Sequence, residues 1–169
     1  EHPSIVPVYE LGHRADGALY YTMKLVRGKT LSKELAQCKS LRDRLELLPR
    51  YLDLCHAIAY AHDRGVIHRD IKPDNVMIGS FGETVVIDWT LAKLKGKVDV
   101  YAAELKATAQ ALKEGPAAPT AQTLYGTILG TPHFMAPEQA RGDMKSVQKR
   151  SDDDTLGAGW YMLLSGRST

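Results

Sequence analysis

His68-Arg69-Asp70-Ile71-Lys72-Pro73-Asp74-Asn75 puts a carboxylate, an ammonium group and an amide oxygen into one short loop. Thirteen residues past Asn75 stands Asp88, closing the apolar run Thr84-Val85-Val86-Ile87. Val76-Met77-Ile78 is a second short apolar run, and the segment between them, Gly79-Ser80-Phe81-Gly82-Glu83, is turn-forming. Together they predict a β-hairpin. Folding about that turn is expected to set Ile78 opposite Val85 and Asn75 roughly opposite Asp88, with a bulge able to shift the register by one residue. Two oxygen-bearing side chains then become neighbours.

Magnesium takes oxygen ligands in near-octahedral geometry, typically one or two from protein and the rest from phosphate and water. Asn75 and Asp88 suit that need. Asp70 lies outside the strand, where a loop can aim it at a bound alcohol as a general base. Lys72 is close enough in sequence to neutralise charge on a phosphoryl group in flight. Pro73 restricts the backbone between Lys72 and Asn75. Singly, each of these residues reads as an ordinary surface group; the octapeptide followed by the Asp-bearing hairpin points to phosphoryl transfer.

The octapeptide resembles the catalytic loop HRDLKPxN of the protein Ser/Thr kinase family, bacterial Hanks type, with Ile71 for Leu. Asp88-Trp89-Thr90-Leu91-Ala92-Lys93 is similar to the segment that begins DFG. Gly130-Thr131-Pro132-His133-Phe134-Met135-Ala136-Pro137-Glu138 is similar to GTPxYMAPE, and Arg150-Ser151-Asp152 with Leu156-Gly157 to the RSDxxSLG start of a buried helix. Four motifs in order, spread over the chain, make the resemblance specific. It implies an α+β, partial protein-kinase-like fold, mainly helical large lobe with the last small-lobe strands. Residues 1–26 correspond to small-lobe strands and the hinge, and 27–169 to part of the large lobe with catalytic loop and activation segment.

The resemblance implies roles by position. Asp70 is the catalytic base, Lys72 the phosphate contact, and Asn75 and Asp88 the Mg2+ ligands. Lys72 with Thr131 implies Ser or Thr, rather than Tyr, as the acceptor in a protein substrate, with ATP as the phosphate donor. Arg69 implies a partner for a phosphorylated activation loop or a structural ion pair. Asp152 implies a carboxylate that holds the catalytic-loop backbone. Leu19-Tyr20-Tyr21-Thr22-Met23 reads as a strand after a turn at Ala15-Asp16-Gly17, leading into a hinge-like Lys24-Leu25-Val26-Arg27-Gly28. Met23 then implies a gatekeeper against adenine, and Lys24 and Val26 backbone groups along its edge.

Glu1-His2-Pro3-Ser4-Ile5-Val6 resembles the family's HPNIV, so the chain is expected to be a fragment without the Gly-rich loop, the ATP-anchoring Lys and the end of the large lobe. Losing even one preorganised donor costs ~3–4 kcal/mol of transition-state stabilisation, so such a piece is expected to be poorly active alone. Glu138 is expected to lack its usual arginine partner from a later helix. Three departures bear on activity. Thr90 replaces the glycine of DFG and is ill suited if that position needs positive φ. Asp153 and Asp154 stand where apolar residues are common, and buried unpaired carboxylates are costly. A pseudokinase or docking module without catalysis is therefore the alternative, and a degraded gene product a third reading.

Leu45, Leu48, Leu52, Cys55 and Ala59 recur at helical spacing and predict an amphipathic helix with that stripe inward. Asp43 and Glu46 have capping-box spacing, Pro49 predicts a kink or a late true start, and Gly65 a left-handed cap. His56 and His62 are expected to be packing residues. From Asp88 to Glu138 the activation segment holds 51 residues. Within it Val98 to Glu114 is helix-prone, Gly115 to Pro119 is a breaker, and Thr120, Thr123 and Thr127 are phosphorylatable. The insertion is read as a regulatory or docking loop, or as a tolerated insertion.

A hydrophobic content of 44% supports a core, and a formal charge of +2 argues against nucleic acid as a partner. Cys38 and Cys55, without CxxC spacing or a secretion signal, fit a reducing cytoplasm. No apolar run reaches membrane-spanning length.

Overall fold

A computed structural model describes residues 1–16, 19–96, 132–143 and 145–167. Gly17 of the first turn, the 98–114 helix, the 115–119 breaker, the three insertion threonines and Thr131 lie outside the described residues.

Strands β1 (Val8–His13) and β2 (Leu19–Met23) form an antiparallel pair, from Val8 against Met23 to His13 against Leu19. A three-stranded sheet has the order β3-β5-β6, from β3 (Gly28–Thr30), β5 (Val76–Gly79) and β6 (Thr84–Val86). The expected hairpin is thus β5–β6, but its register is one residue off. Ile78 faces Thr84, not Val85, and Val76 faces Val86. The turn is tighter than its five-residue composition suggests. Gly79 N–H donates to Glu83 O at 2.8 Å, which leaves a three-residue loop with Gly82 at φ 83°. A left-handed third residue is the usual solution for such loops, and glycine adopts it without strain. As a result Asn75 pairs with Ile87, whose N–H donates to Asn75 O at 2.9 Å, and Asp88 lies one residue farther on.

The segment before β1 joins the same hairpin. Val6 N–H donates to Val86 O (3.0 Å) and Val86 N–H to Ser4 O (2.8 Å). Two-residue strands β4 (Val66–Ile67) and β7 (Lys93–Leu94) pair antiparallel on either side of the octapeptide and hairpin.

Helix α1 (Leu31–Gln37) starts at Thr30, whose side chain accepts from Lys33 N–H. The predicted amphipathic helix is two helices, α2 (Leu41–Leu45) and α3 (Leu48–Asp63). Ser40 and Asp43, not Asp43 and Glu46, form the capping box. Pro49 sits in the first turn of α3, where its missing N–H costs nothing, so the late start is the outcome. The break separates Leu45 from the rest of the stripe, but Leu48, Leu52, Cys55 and Ala59 share the unbroken α3, whose other apolar face is the one that is covered. Leu45, Leu52 and Ala59 are exposed and Leu48 and Cys55 half-buried, while Tyr51, Leu54, Ala57, Ile58 and Ala61 face inward. Tyr51 can take an inward place because its hydroxyl donates to Leu156 O. Gly65 follows α3 at φ 75°, the left-handed cap expected. His56 is exposed rather than packed.

Helix α4 (Pro137–Ala140) is short, and α5 (Lys149–Ser165) is the long partner of α3. Arg44 closes α5 by donating from Nε to Leu163 O at 3.0 Å, a cation at a helix C-terminus. Leu31, Leu54, Ile58, Val76, Val86 and Leu163 form the centre of the core, with Ile71 of the octapeptide among them. Each such side chain contributes about 1.5–3 kcal/mol by leaving water. The loop bearing Asp70 is thus pinned by its own Ile71. The fold is α+β, and among the described residues no helix is long and apolar enough to cross a membrane.

Candidate active site

Asp152, on the first turn of α5, organises the octapeptide from beneath. It is buried (1% exposed), and its Oδ2 accepts from His68 N–H and contacts His62 Nε2, each at 2.8 Å. Its Oδ1 accepts from Arg69 N–H at 2.8 Å. From the other side Gln139 Nε2 donates to Arg69 O at 2.7 Å. Arg69 can therefore be held at φ 70°, a left-handed conformation costing about 1–3 kcal/mol in a non-glycine residue. The reversal turns Asp70 away from the strand direction and into the loop.

Asp70 is likewise buried, and its two oxygens differ. Oδ2 accepts from Asn75 Nδ2 at 3.0 Å and pairs with Lys72 Nζ at 2.8 Å. Asn75 Nδ2 gives its other proton to Asp70 O at 2.8 Å. With both amide protons committed to Asp70, the group Asn75 can turn to a cation is Oδ1, an acceptor. A 3-10 turn, Pro73–Asn75, sets this geometry, with Asn75 N–H donating to Lys72 O.

Asp88 is suspended from Ile87, whose peptide is held at both ends. Its N–H goes to Asn75 O, and His68 Nε2 meets its carbonyl at 3.3 Å. The His68 ring is fully buried, with Nδ1 accepting from Asp70 N–H and its edge on the Trp89 ring at 4.5 Å. Burial pushes the His68 pKa below its ordinary value, against the opposing pull of Asp152, Asp70 and Asp88. A neutral ring donating from Nε2 and accepting at Nδ1 matches these partners. Asp88 itself takes φ 58°, which aspartate tolerates better than most residues. Asp70, Lys72 and Asn75 are thus in direct contact, with Asp88 one residue past the strand pair that ends at Asn75. That oxygen set, an amide and a carboxylate, suits Mg2+ in its habit of taking few protein ligands.

A family profile described as protein kinase domain matches residues 1–169. The chain belongs to the protein kinase family. It is 37% identical over 182 residues to the serine/threonine-protein kinase PknD of Protochlamydia amoebophila, covering 99% of this chain and 17% of that protein. It is 37% identical over 175 residues to PknD of Chlamydia trachomatis, covering 97% and 18%, and 35% identical over 180 residues to PknD of Chlamydia pneumoniae, with the same coverage. The chain therefore spans less than a fifth of the length of these curated relatives. Protein kinases generally use ATP and Mg2+.

Within this kinase fold the three departures lose their force. Thr90 does not need positive φ: among the described non-glycine residues only Arg69 and Asp88 take it. The left-handed residue here is Asp88, and Thr90 donates its hydroxyl to Asp88 Oδ1. Asp153 and Asp154 are exposed on α5, so neither carboxylate loses its water. Trp89 keeps the ring contact with His68 and donates from Nε1 to Val86 O at 3.3 Å.

Met23 ends β2, and Lys24 and Val26 follow it. Among the described residues no hydrogen bond or ion pair joins them to Asp70, Lys72, Asn75 or Asp88. Lys24 N–H donates to Pro7 O at 3.0 Å, and Met23 is 42% exposed. Glu138 accepts from the Ser151 hydroxyl, and that hydrogen bond first of all lowers the Glu138 pKa. His62, buried as the packing residue expected, also supports the site through Asp152, and Gln139 is a supporting residue that sequence reasoning missed. Their partners lie 90 and 70 residues away along the chain, so no local spacing signals them.

Proposed function

We propose that the protein transfers the γ-phosphoryl group of ATP to a serine or threonine hydroxyl of a protein substrate. The observation that carries this reading is the asymmetry of Asp70. Lys72 Nζ at 2.8 Å and Asn75 Nδ2 at 3.0 Å both hold Oδ2, so Oδ1 is the oxygen positioned to accept a proton. Asp70 orients the hydroxyl and takes its proton as the acceptor oxygen bonds to the γ-phosphorus and the bond to the β,γ-bridging oxygen breaks, releasing ADP. Lys72 supplies positive charge where the phosphoryl oxygens gather it. Asn75 Oδ1 and the Asp88 carboxylate are the oxygens for Mg2+, which when bound neutralises phosphate charge. Lys72 and Thr131 support Ser/Thr over Tyr. In this reading residues 1–26 are small-lobe strands and hinge, with Met23, Lys24 and Val26 along the adenine, and 27–169 belong to the large lobe.

A reading as a docking module without catalysis has lost its support, since Thr90, Asp153 and Asp154 all sit without strain or desolvation. The test is magnesium-dependent phosphate incorporation into a generic Ser/Thr substrate by the full-length protein, compared with its Asp70→Asn variant. Removing a general base is expected to lower the rate by ~10²–10⁴-fold. Equal incorporation by both proteins removes the enzymatic reading.

A further inference from the structure

We propose that Thr90 is a positioning residue for Asp88, fixing which carboxylate oxygen is presented to the divalent cation. The inference rests on the phosphoryl-transfer reading and deepens it at one residue. Asp88 Oδ1 accepts from both the Thr90 hydroxyl and, at 3.4 Å, the Thr90 N–H. Among the described residues no hydrogen bond reaches Oδ2. The carboxylate is thus split into a held oxygen and a presented one, as Asp70 is by Lys72 and Asn75.

The split matters because little else holds the Asp88 side chain. Asp88 is only half-buried, Thr90 is exposed, and the chain just past Asp88 is a local turn over 89–92 closed by Ala92 N–H donating to Trp89 O at 3.0 Å. A glycine at position 90 would leave one N–H, and that contact is the longer of the two. A hydroxyl donor restrains χ1 and χ2 of Asp88 and favours one-oxygen ligation, which suits the octahedral, small-radius Mg2+. Hydrogen bonds to a ligating carboxylate orient the ligand and tune the metal. Since Thr90 has no left-handed φ to maintain, the side chain at this position is free to serve that purpose.

The test is Mn2+ binding to the full-length protein, followed by electron paramagnetic resonance in the presence of a non-hydrolysable ATP analogue. Thr90→Val keeps the shape and removes the donor, and is expected to weaken Mn2+ binding by ~10-fold or more. Thr90→Ser restores the donor and is expected to bind close to wild type. Metal-free melting curves of all three are expected to coincide, which separates positioning from structural damage. Thr90→Val binding as tightly as wild type, or Thr90→Ser as weakly as Thr90→Val, overturns the assignment. So does a Thr90→Gly variant that binds more tightly than wild type, which makes the hydroxyl a competitor of the ion. If Asp88→Asn abolishes binding and Thr90→Val does not, the Thr90 role fails while the kinase reading stands. If wild type binds no Mn2+ with the nucleotide, both fail.

Discussion

Two aspartates anchor the two halves of this site, and they are held in opposite ways. Asp152 is sealed under the catalytic loop and bonded to His62, His68 and Arg69, residues 83–90 positions away in the chain. Asp88 is half-open to solvent, and its described carboxylate contacts come from Thr90, two residues on. Each stands beside or at a non-glycine residue with positive φ, Arg69 at 70° and Asp88 at 58°. One carboxylate is thus fixed by the tertiary structure, while the other, on a backbone anchored through Ile87, has its side chain held by its own neighbourhood. The difference separates a residue that the fold depends on from a residue that the fold delivers.

The largest break in that contrast should come at Asp152. Asp152→Ala strands two buried backbone N–H groups, each worth about 1–3 kcal/mol when left unsatisfied, and removes the partner of His62. Urea unfolding of the full-length protein should show a loss of ~3 kcal/mol or more, and a loss below ~1 kcal/mol would mean water replaces the carboxylate. Gln139→Leu should be milder, at ~2 kcal/mol, because it strands one buried acceptor, Arg69 O, and one buried donor, Ala136 N–H, but no charged partner. Phosphate incorporation should then fall further than stability does, since Arg69 directs Asp70.

Acid should sharpen the contrast next. Burial lowers the His68 pKa below its unfolded value near 6.5, so the unfolded chain binds the extra proton first. Stability from this group is therefore fully present above about pH 6.5 and is lost as pH falls through the lower folded value. A His68→Gln variant followed by thermal melts should show a flatter acid limb, and an unchanged limb would assign the loss elsewhere. The smallest effect on folding should be Asp88→Asn, within ~0.5 kcal/mol, even though it removes a proposed Mg2+ oxygen. A large destabilisation there would erase the distinction between the two aspartates.

What the sequence makes legible follows the same division. The hairpin, the Leu19–Met23 strand, the Gly65 cap and the late start at Pro49 are each set by residues within a few positions, and all stand in the structure. The hairpin register missed by one because composition marks a turn but not which of its residues closes it. The inward face of α3 was misplaced because the helix carries two apolar stripes at helical spacing, Leu48-Leu52-Cys55-Ala59 and Tyr51-Leu54-Ile58-Ala61, and spacing does not say which one is covered. Asp70, Lys72 and Asn75 meet because five residues and a proline leave little else possible. The bonds of His62 and Gln139 were invisible for the reason Asp152 is strong: their partners are far along the chain, where no spacing rule reaches.

The seam between the first residues and the hairpin has a mechanical side. Ser4 and Val6 clasp the peptide groups of Val86, two positions before Asp88. A tug on the amino-terminal stretch is therefore passed by two short linkages to the backbone that carries a proposed metal ligand. Whatever leans on Ser4 or Val6 has a lever on the Asp88 carboxylate, and stiffening or loosening that clasp would set how firmly the lever acts.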